Sequence, residues 1–520
     1  MNFLESNKKV FWILFSIYFI VNIPFLLNYN GIYWDDWVIV DQDLETLNAM
    51  FTQAVGSAGY ITSYLHYFMI NYLGVFSYRA LTFVLLFFSG WFIYKILSDL
   101  SIFSSKDRFF LTIFFLVAPL YNVKVALINF PYTLFSFIFF LSFYFLSKYY
   151  KDLKILKRIL ILALFFFSFL VNSILVFYTV VLIYLFYVNY FLDKSVLKNL
   201  IFFVKTKMDF MLLPIAFYII KSIWFKPYGL YEGYNKIEFN NILNIDNYIN
   251  ILNFNIINPV IESIYLLNLL NTSIIFFLCI FLFNNIKFDK KINQYVHLLI
   301  VGIVIFFLAA FPYIIVGKIP SSMEQDSRFQ VLLFLGFSII FYYIVILLFN
   351  IIRSEKNFSL IFILILSIYS FSLNSFQYQI KYNWEWIYQQ SIIENFLSSD
   401  EVINNSTFVV IDNVLYKNFI RLGEAQMNGI SKKAFNNSNK LFIYRNLSLL
   451  EYFKKICIES KEFNCSNWVE EQPISISIIN NKKIDIFHNI SYLLKLKYLE
   501  VVDNEQFKKE IKDLVILEFK

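Results

Sequence analysis

The residues best suited to chemistry are Asp35 and Asp36, inside Gly31-Ile-Tyr-Trp-Asp-Asp-Trp37. Two adjacent carboxylates lie among Tyr33, Trp34 and Trp37, just after the first hydrophobic segment. Aromatic residues are ordinary at a membrane surface. Carboxylates in a poorly hydrated setting are costly unless they have a partner or a task. Neighbours in sequence cannot share one task, because their side chains diverge by ~100° on a helix and point to opposite faces on a strand. One acid is therefore expected to face a cavity while the other orients backbone or a neighbour. A carboxylate in such a cavity can act as general base on a sugar or lipid hydroxyl. The plainer alternative is that the pair caps a turn, and the residues alone leave both open.

Three cations are candidates to meet an anion. Arg328 precedes an apolar run that starts at Val331, and its planar fork suits two oxygens of a phosphate. Lys318 lies ten residues earlier in the same connection. Arg79 sits early in an apolar run, where an Arg needs an anionic partner, either the acids of the first loop or a lipid phosphate. Arg328 can equally pair with Glu324 or Asp326. Tyr33, Trp34 and Trp37 can stack on a sugar face or anchor in the membrane belt. His66 can carry a proton or simply pack among its aromatic neighbours.

The elements that would position these residues are membrane helices. The chain has 520 residues and is 59% hydrophobic, with mean hydropathy +0.61. A soluble chain averages roughly 45–50% apolar. Eleven apolar runs lie at 10–27, 72–96, 109–121, 125–147, 159–172, 174–192, 210–225, 271–284, 295–316, 331–350 and 357–375. With the N-terminus in the cytoplasm, the cytoplasmic connections carry nineteen Lys and Arg. The opposite side carries five up to residue 375: Lys124, Lys226, Lys236, Lys318 and Arg328. The positive-inside rule then supports that orientation and an odd number of spans. Lys8 and Lys9 precede Val10 to Leu27 without a small-residue cleavage pattern, so this reads as a retained first helix. The run from Ile242 to Leu270 reads as an amphipathic segment along the interface.

The expected architecture is an α-helical polytopic membrane protein of about eleven transmembrane helices over residues 1–375. A small C-terminal α/β extracytoplasmic domain follows over 376–520. Short apolar runs at Thr407 to Ile411, Lys440 to Tyr444, Ile474 to Ile479 and Ile484 to Phe487 suggest its strands. Cys457 and Cys465 can pair there or stay as thiols. Three His in total exclude a histidine-rich metal site. The net charge of +7 belongs to one membrane face, so no nucleic acid partner is expected. Walker A, GxGxxG, HExxH and CxxC patterns are absent, which leaves nucleotide-driven transport without support.

An N-inside first helix, an external loop opening with an acid pair, many further helices and an external C-terminal domain resemble the C-type (GT-C) glycosyltransferases. Protein O-mannosyltransferases, aminoarabinose transferases and O-antigen glucosyltransferases are similar in type. Tyr33-Trp-Asp35-Asp36-Trp matches the acid-pair position, and Gly74 through Tyr78-Arg79-Ala resembles the start of the second helix. Gly317-Lys-Ile-Pro to Ser327-Arg328-Phe resembles the loop before a late helix, with Phe where His is frequent. Gly59-Tyr60-Ile61 stands where a Gly-Arg-Pro element would be, without the Arg and Pro. The turn at 121–124 carries no acid, although some members have a second catalytic or metal-binding acid there.

The resemblance implies transfer of a sugar from a polyprenyl-phosphate sugar donor to a glycan, lipid-linked or protein acceptor outside the cytoplasmic (inner) membrane. Asp35 would be the base and Asp36 its support. Arg328, Lys318 and Arg79 would hold the donor phosphate, and Tyr33, Trp34, Trp37 and His66 would contact sugar or acceptor. No cofactor is assigned and no metal ligands are named, with a divalent metal left open. Three rivals stand beside it: a polysaccharide polymerase or ligase, a lipid or polysaccharide transporter, and a structural or sensory membrane protein.

Overall fold

The computed structural model describes residues 6–190, 195–233, 235–283, 292–322, 324–351, 357–413, 423–436, 439–444, 473–481 and 489–520. Among these, five helices are long and apolar enough to cross a membrane: Val75–Asp99, Leu127–Tyr149, Ile292–Ile314, Leu333–Asn350 and Phe358–Ser398. The pair Ile245–Tyr265 and Leu269–Phe277, bent by 94°, makes a sixth if counted as one span.

The sequence predicts eleven runs, and the other runs form shorter or broken helices. Asn22 divides the first into Asn7–Val21 and Ile23–Leu27, with Pro24 in the first turn after the break. Ser105–Val117 and Ile155–Ser168 have 13 and 14 residues. At 1.5 Å per residue such helices reach only about 20 Å, short of the ~30 Å hydrocarbon core.

Local chemistry explains where the helices start and touch. Gly74 begins Val75–Asp99 at φ +74°, a conformation that favours glycine. Ser104 and Asp107 form a capping box at Ser105–Val117. Asp107 also accepts the Tyr342 hydroxyl at 2.9 Å, which ties that helix to Leu333–Ile351. Ile292–Ile314 and Leu333–Ile351 pack closely because glycines meet the partner directly: a Cβ on Gly336 would lie 2.5 Å from Phe306 Cα, and one on Gly302 2.6 Å from Ile339.

The helix Asn357–Ser398 has 42 residues, about 60 Å at the usual rise, roughly twice the hydrocarbon core. The point expected to divide the chain, after residue 375, lies inside this helix, which carries the chain straight from the bundle to the C-terminal portion. There a four-stranded sheet forms from β1 (Thr407–Asn413), β2 (Leu441–Tyr444), β3 (Ile474–Asn480) and β4 (Val515–Phe519). Its order is β2-β1-β3-β4. β1 pairs in parallel with β2 and β3, with Val409 opposite both Ile443 and Ser475, while β4 runs antiparallel to β3. The expected strand at Ile484 to Phe487, and Cys457 and Cys465, lie outside the described residues.

Candidate functional site

Three connections meet at one end of the helix bundle: the loop carrying Asp35 and Asp36, the turn at 121–129, and the segment 317–330. The first is folded by its own carboxylate. Asp36 is fully buried, and its Oδ2 accepts the Tyr33 N–H at 3.1 Å, closing a tight turn. Its Oδ1 accepts the Ile128 N–H at 2.9 Å, which fastens the loop to the second connection. Burial pushes the carboxyl of Asp36 up to about 7, against the opposing pull of the Arg79 guanidinium and the backbone amides.

The second connection is fastened to the third in the same manner. The Ser327 hydroxyl accepts the Val123 N–H at 2.9 Å, and the Gln330 Oε1 accepts the Tyr121 N–H at 2.9 Å. Gln330 donates to Asn255 Oδ1 at 2.8 Å, and Asn255 donates to the Pro320 carbonyl at 2.7 Å. Arg328 is thus held between two residues that grip the turn.

Asp35 points elsewhere. It is half-buried and N-caps the short helix Asp36–Ile39 without using its side chain as the cap. Its carboxyl is raised by burial, while the Arg328 guanidinium and hydrogen bonding from Gln325 draw it down. The two acids therefore divide: Asp36 binds backbone amides beside Arg79, and Asp35 faces the Arg328 segment. Lys318 shares that segment and donates to Asn235 Oδ1 at 2.7 Å. Burial, then repulsion from Arg328, pushes Lys318 down to about 8. Both cations lie over the Phe329 ring, at 5.6 Å for Lys318 and 4.8 Å for Arg328.

Backbone strain collects in the same cluster. Of the four non-glycine residues at positive φ among those described, Trp34 (46°), Asp41 (57°) and Tyr121 (52°) belong to these connections. Each costs of order 1–2 kcal/mol, so the surrounding hydrogen bonds must over-determine the shape.

The other expected site residues are enclosed. Arg79 is 1% exposed, and its Nη2 donates to the Gly31 carbonyl. Its Nε and Nη1 meet no hydrogen-bond acceptor among the described residues. The sequence offers Arg79 either the acids of the first loop or a lipid phosphate, and the resemblance implies the phosphate; the structure holds it behind the first loop, beside Asp36. Tyr33 is buried, accepts from Asn28 Nδ2 at 2.6 Å and donates to the Tyr382 carbonyl at 2.7 Å. Trp34 packs edge-on against Tyr382. Trp37 stacks on Trp386 and donates to Gln389 Oε1 at 3.1 Å. The sequence offers these rings to a sugar, whereas here all three are buried in packing.

His66 is likewise shut in, between the Phe51 and Tyr78 rings, with Nδ1 2.9 Å from the Tyr78 hydroxyl. Burial pushes it down to about 3, so it is neutral at ordinary pH. It presents no face to an acceptor. Among the described residues no three of His, Cys, Asp and Glu come together as ion ligands.

The C-terminal portion closes over the first loop. Gly429, in the helix Glu424–Phe435, lies against Trp37, where a Cβ would come within 2.4 Å of the Trp37 Cβ. Lys433 rests over the Trp37 and Trp386 rings. Glu500 accepts the Trp386 indole N–H at 2.8 Å and pairs with the buried Lys497 at 3.0 Å.

Ser327, Gln330, Tyr382 and Gln389 were not expected at the site. Each supports it through hydrogen bonds to distant segments, which leave no local pattern in sequence.

The fold and this cluster define a helical, multi-pass membrane protein with an acid-and-arginine cluster at one end of its helices. No family model matches the chain, and no curated protein matches it.

Proposed function

We propose that the protein is a membrane glycosyltransferase that moves a sugar from a polyprenyl-phosphate donor to an acceptor outside the cytoplasmic membrane. The observation that carries this reading is the pull of the Arg328 guanidinium on the Asp35 carboxyl from a separate connection that also carries Lys318. A base and a phosphate clamp must lie on either side of an anomeric carbon for such a transfer. The acid-pair resemblance and the charge distribution are its further supports. In this reading the chain has eleven spans, its N-terminus inside and its C-terminal α/β portion outside.

In the proposed step, Asp35 takes the proton of the acceptor hydroxyl as that oxygen bonds to the anomeric carbon. The bond from that carbon to the phosphate oxygen breaks, and its electron pair leaves with the polyprenyl phosphate. Arg328 and Lys318 stabilise the charge that grows on this leaving group. Asp36 and Arg79 act as positioning residues, fixing the loop from which Asp35 projects. The donor arrives already activated, so no nucleotide is needed outside the cytoplasm.

The test uses purified protein in lipid with a panel of radiolabelled polyprenyl-phosphate sugars, wild type beside Asp35→Asn. Transfer or hydrolysis by wild type alone supports the reading. Equal turnover by Asp35→Asn removes Asp35 as base, and no turnover of any donor by folded wild type overturns the transferase assignment.

A further inference from the structure

The helix beginning at Phe130 leads away from the acid cluster to the opposite end of the bundle. A groove of about 360 Å³ lies there between Ile155–Ser168 and Val196–Trp224, lined by Ile155, Arg158, Ile159, Lys205, Met208 and Asp209. Arg158 donates through Nε and Nη2 to both oxygens of Asp209, and through Nη2 to the Thr206 carbonyl at 2.9 Å. Nη1 makes none of these bonds. Lys205 is exposed and takes part in none of the ion pairs among the described residues. The lining therefore carries two cations against one carboxylate, over a floor that is mostly apolar.

The surroundings point to a membrane boundary. Val196–Trp224 is broken at Lys207, which has φ −126° and ψ 24°. Its first part exposes Val196, Leu197, Leu200, Ile201 and Val204, with Lys198 and Lys205 among them. Across the groove Ile155 and Leu156 are each 78% exposed. Exposed aliphatic side chains mixed with lysines mark an element lying at the headgroup level, with its apolar atoms in the acyl region.

We infer that this groove binds an anionic phospholipid. The Lys205 ammonium and Arg158 Nη1 meet its phosphate, and one acyl chain runs along Ile155, Ile159 and Met208. Charge complementarity favours a lipid with net negative charge over a zwitterionic one, since the lining has one uncompensated cation. Charged and aliphatic side chains line the same groove, which fits a headgroup joined to a chain. This inference stands on the membrane class alone and does not depend on the transferase reading.

The experiment is native mass spectrometry of the full-length protein released from an uncharged detergent, with phosphatidylglycerol or phosphatidylcholine of identical chains. Wild type should retain phosphatidylglycerol in preference. Lys205→Glu should weaken that retention about fivefold for the lost lysine, and further for the reversed charge. Met208→Trp, which fills the groove, should lose it independently. Unfolding midpoints of both variants check that the fold persists. Equal retention of the two lipids by wild type, or unchanged retention by both folded variants, overturns the site.

Discussion

Asp36 grips the Ile128 N–H at 2.9 Å, so one carboxylate joins two connections 92 residues apart. Because its other oxygen holds the Tyr33 amide, this side chain fixes the direction in which Asp35 leaves the chain. In the proposed transfer, Asp35 can act as base only if its neighbour keeps that turn rigid.

Asp36 should therefore give stability an identifiable pH dependence. Its folded value of about 7 lies above the ordinary carboxyl value of 3.8. Between those values the native state holds a proton that the unfolded chain has lost. Stability from this group is fully present below about pH 4 and is lost as pH rises towards 7. Asp36→Asn imitates the protonated form, so the variant should gain on wild type by up to about 1.4 kcal/mol per pH unit across that window. Thermal unfolding in detergent at pH 5 and pH 7.5 reads this directly. Parallel wild-type and variant midpoints would mean that Asp36 is ionised throughout.

Asp35 and Arg328 should be coupled in catalysis. Burial raises the Asp35 carboxyl and Arg328 lowers it. A base works ionised, so the proposed transfer should fall on the acid side of the raised value. Arg328→Gln should move that acid limb of kcat/KM to higher pH, in addition to weakening donor use. Arg328→Lys should return the limb towards its wild-type position. An unmoved limb in the Gln variant would separate Arg328 from the base.

Gly31 is the tightest point of the loop. A Cβ there would lie 2.2 Å from Asn28 Oδ1 and 2.4 Å from the Tyr33 hydroxyl. Gly31→Ala should displace the Asn28–Tyr33 hydrogen bond and destabilise by about 1–3 kcal/mol. Adding Asn28→Ala removes one of the clashing groups, so the double variant should lose less than the sum of the singles. Additive losses in unfolding midpoint would refute this packing account.

Much of this arrangement has a visible cause in sequence, and some has none. The adjacency of Asp35 and Asp36 already requires two different environments, and the structure supplies them. Thr407–Asn413, Leu441–Tyr444 and Ile474–Asn480 coincide with short apolar runs. Val515–Phe519 is not legible as a strand in sequence, because Val-Ile-Leu-Glu-Phe gives too little alternation over five residues. The partners of Asp36 are backbone N–H groups, which every residue but proline carries, so nothing marks Ile128 in advance. Gln389 joins Trp37 across 352 positions, and a single Gln has no periodicity to reveal it. The aromatic residues around the acids could serve a ligand or a core equally well by type. Only burial distinguishes the two, and here Tyr33, Trp34 and Trp37 are core.

That core role makes Trp37 one of the points where the C-terminal portion is held. Its ring stacks on Trp386 with centroids 6.5 Å apart, Gly429 abuts its Cβ, and the Lys433 ammonium covers both rings. Trp37→Ala should cost about 3 kcal/mol or more, as for other buried large-to-small changes. The loss should be local before it is global. Amide hydrogen exchange in the helix Glu424–Phe435 should quicken in the variant, because that helix loses its apolar seat. Gly429→Leu approaches the same contact from the other side and should quicken exchange in both this helix and Asp36–Ile39. The spans other than Phe358–Ser398, which carries Trp386, should keep their protection in both variants. Unchanged exchange at Glu424–Phe435 in the two variants would show that the helix is seated by contacts other than Trp37.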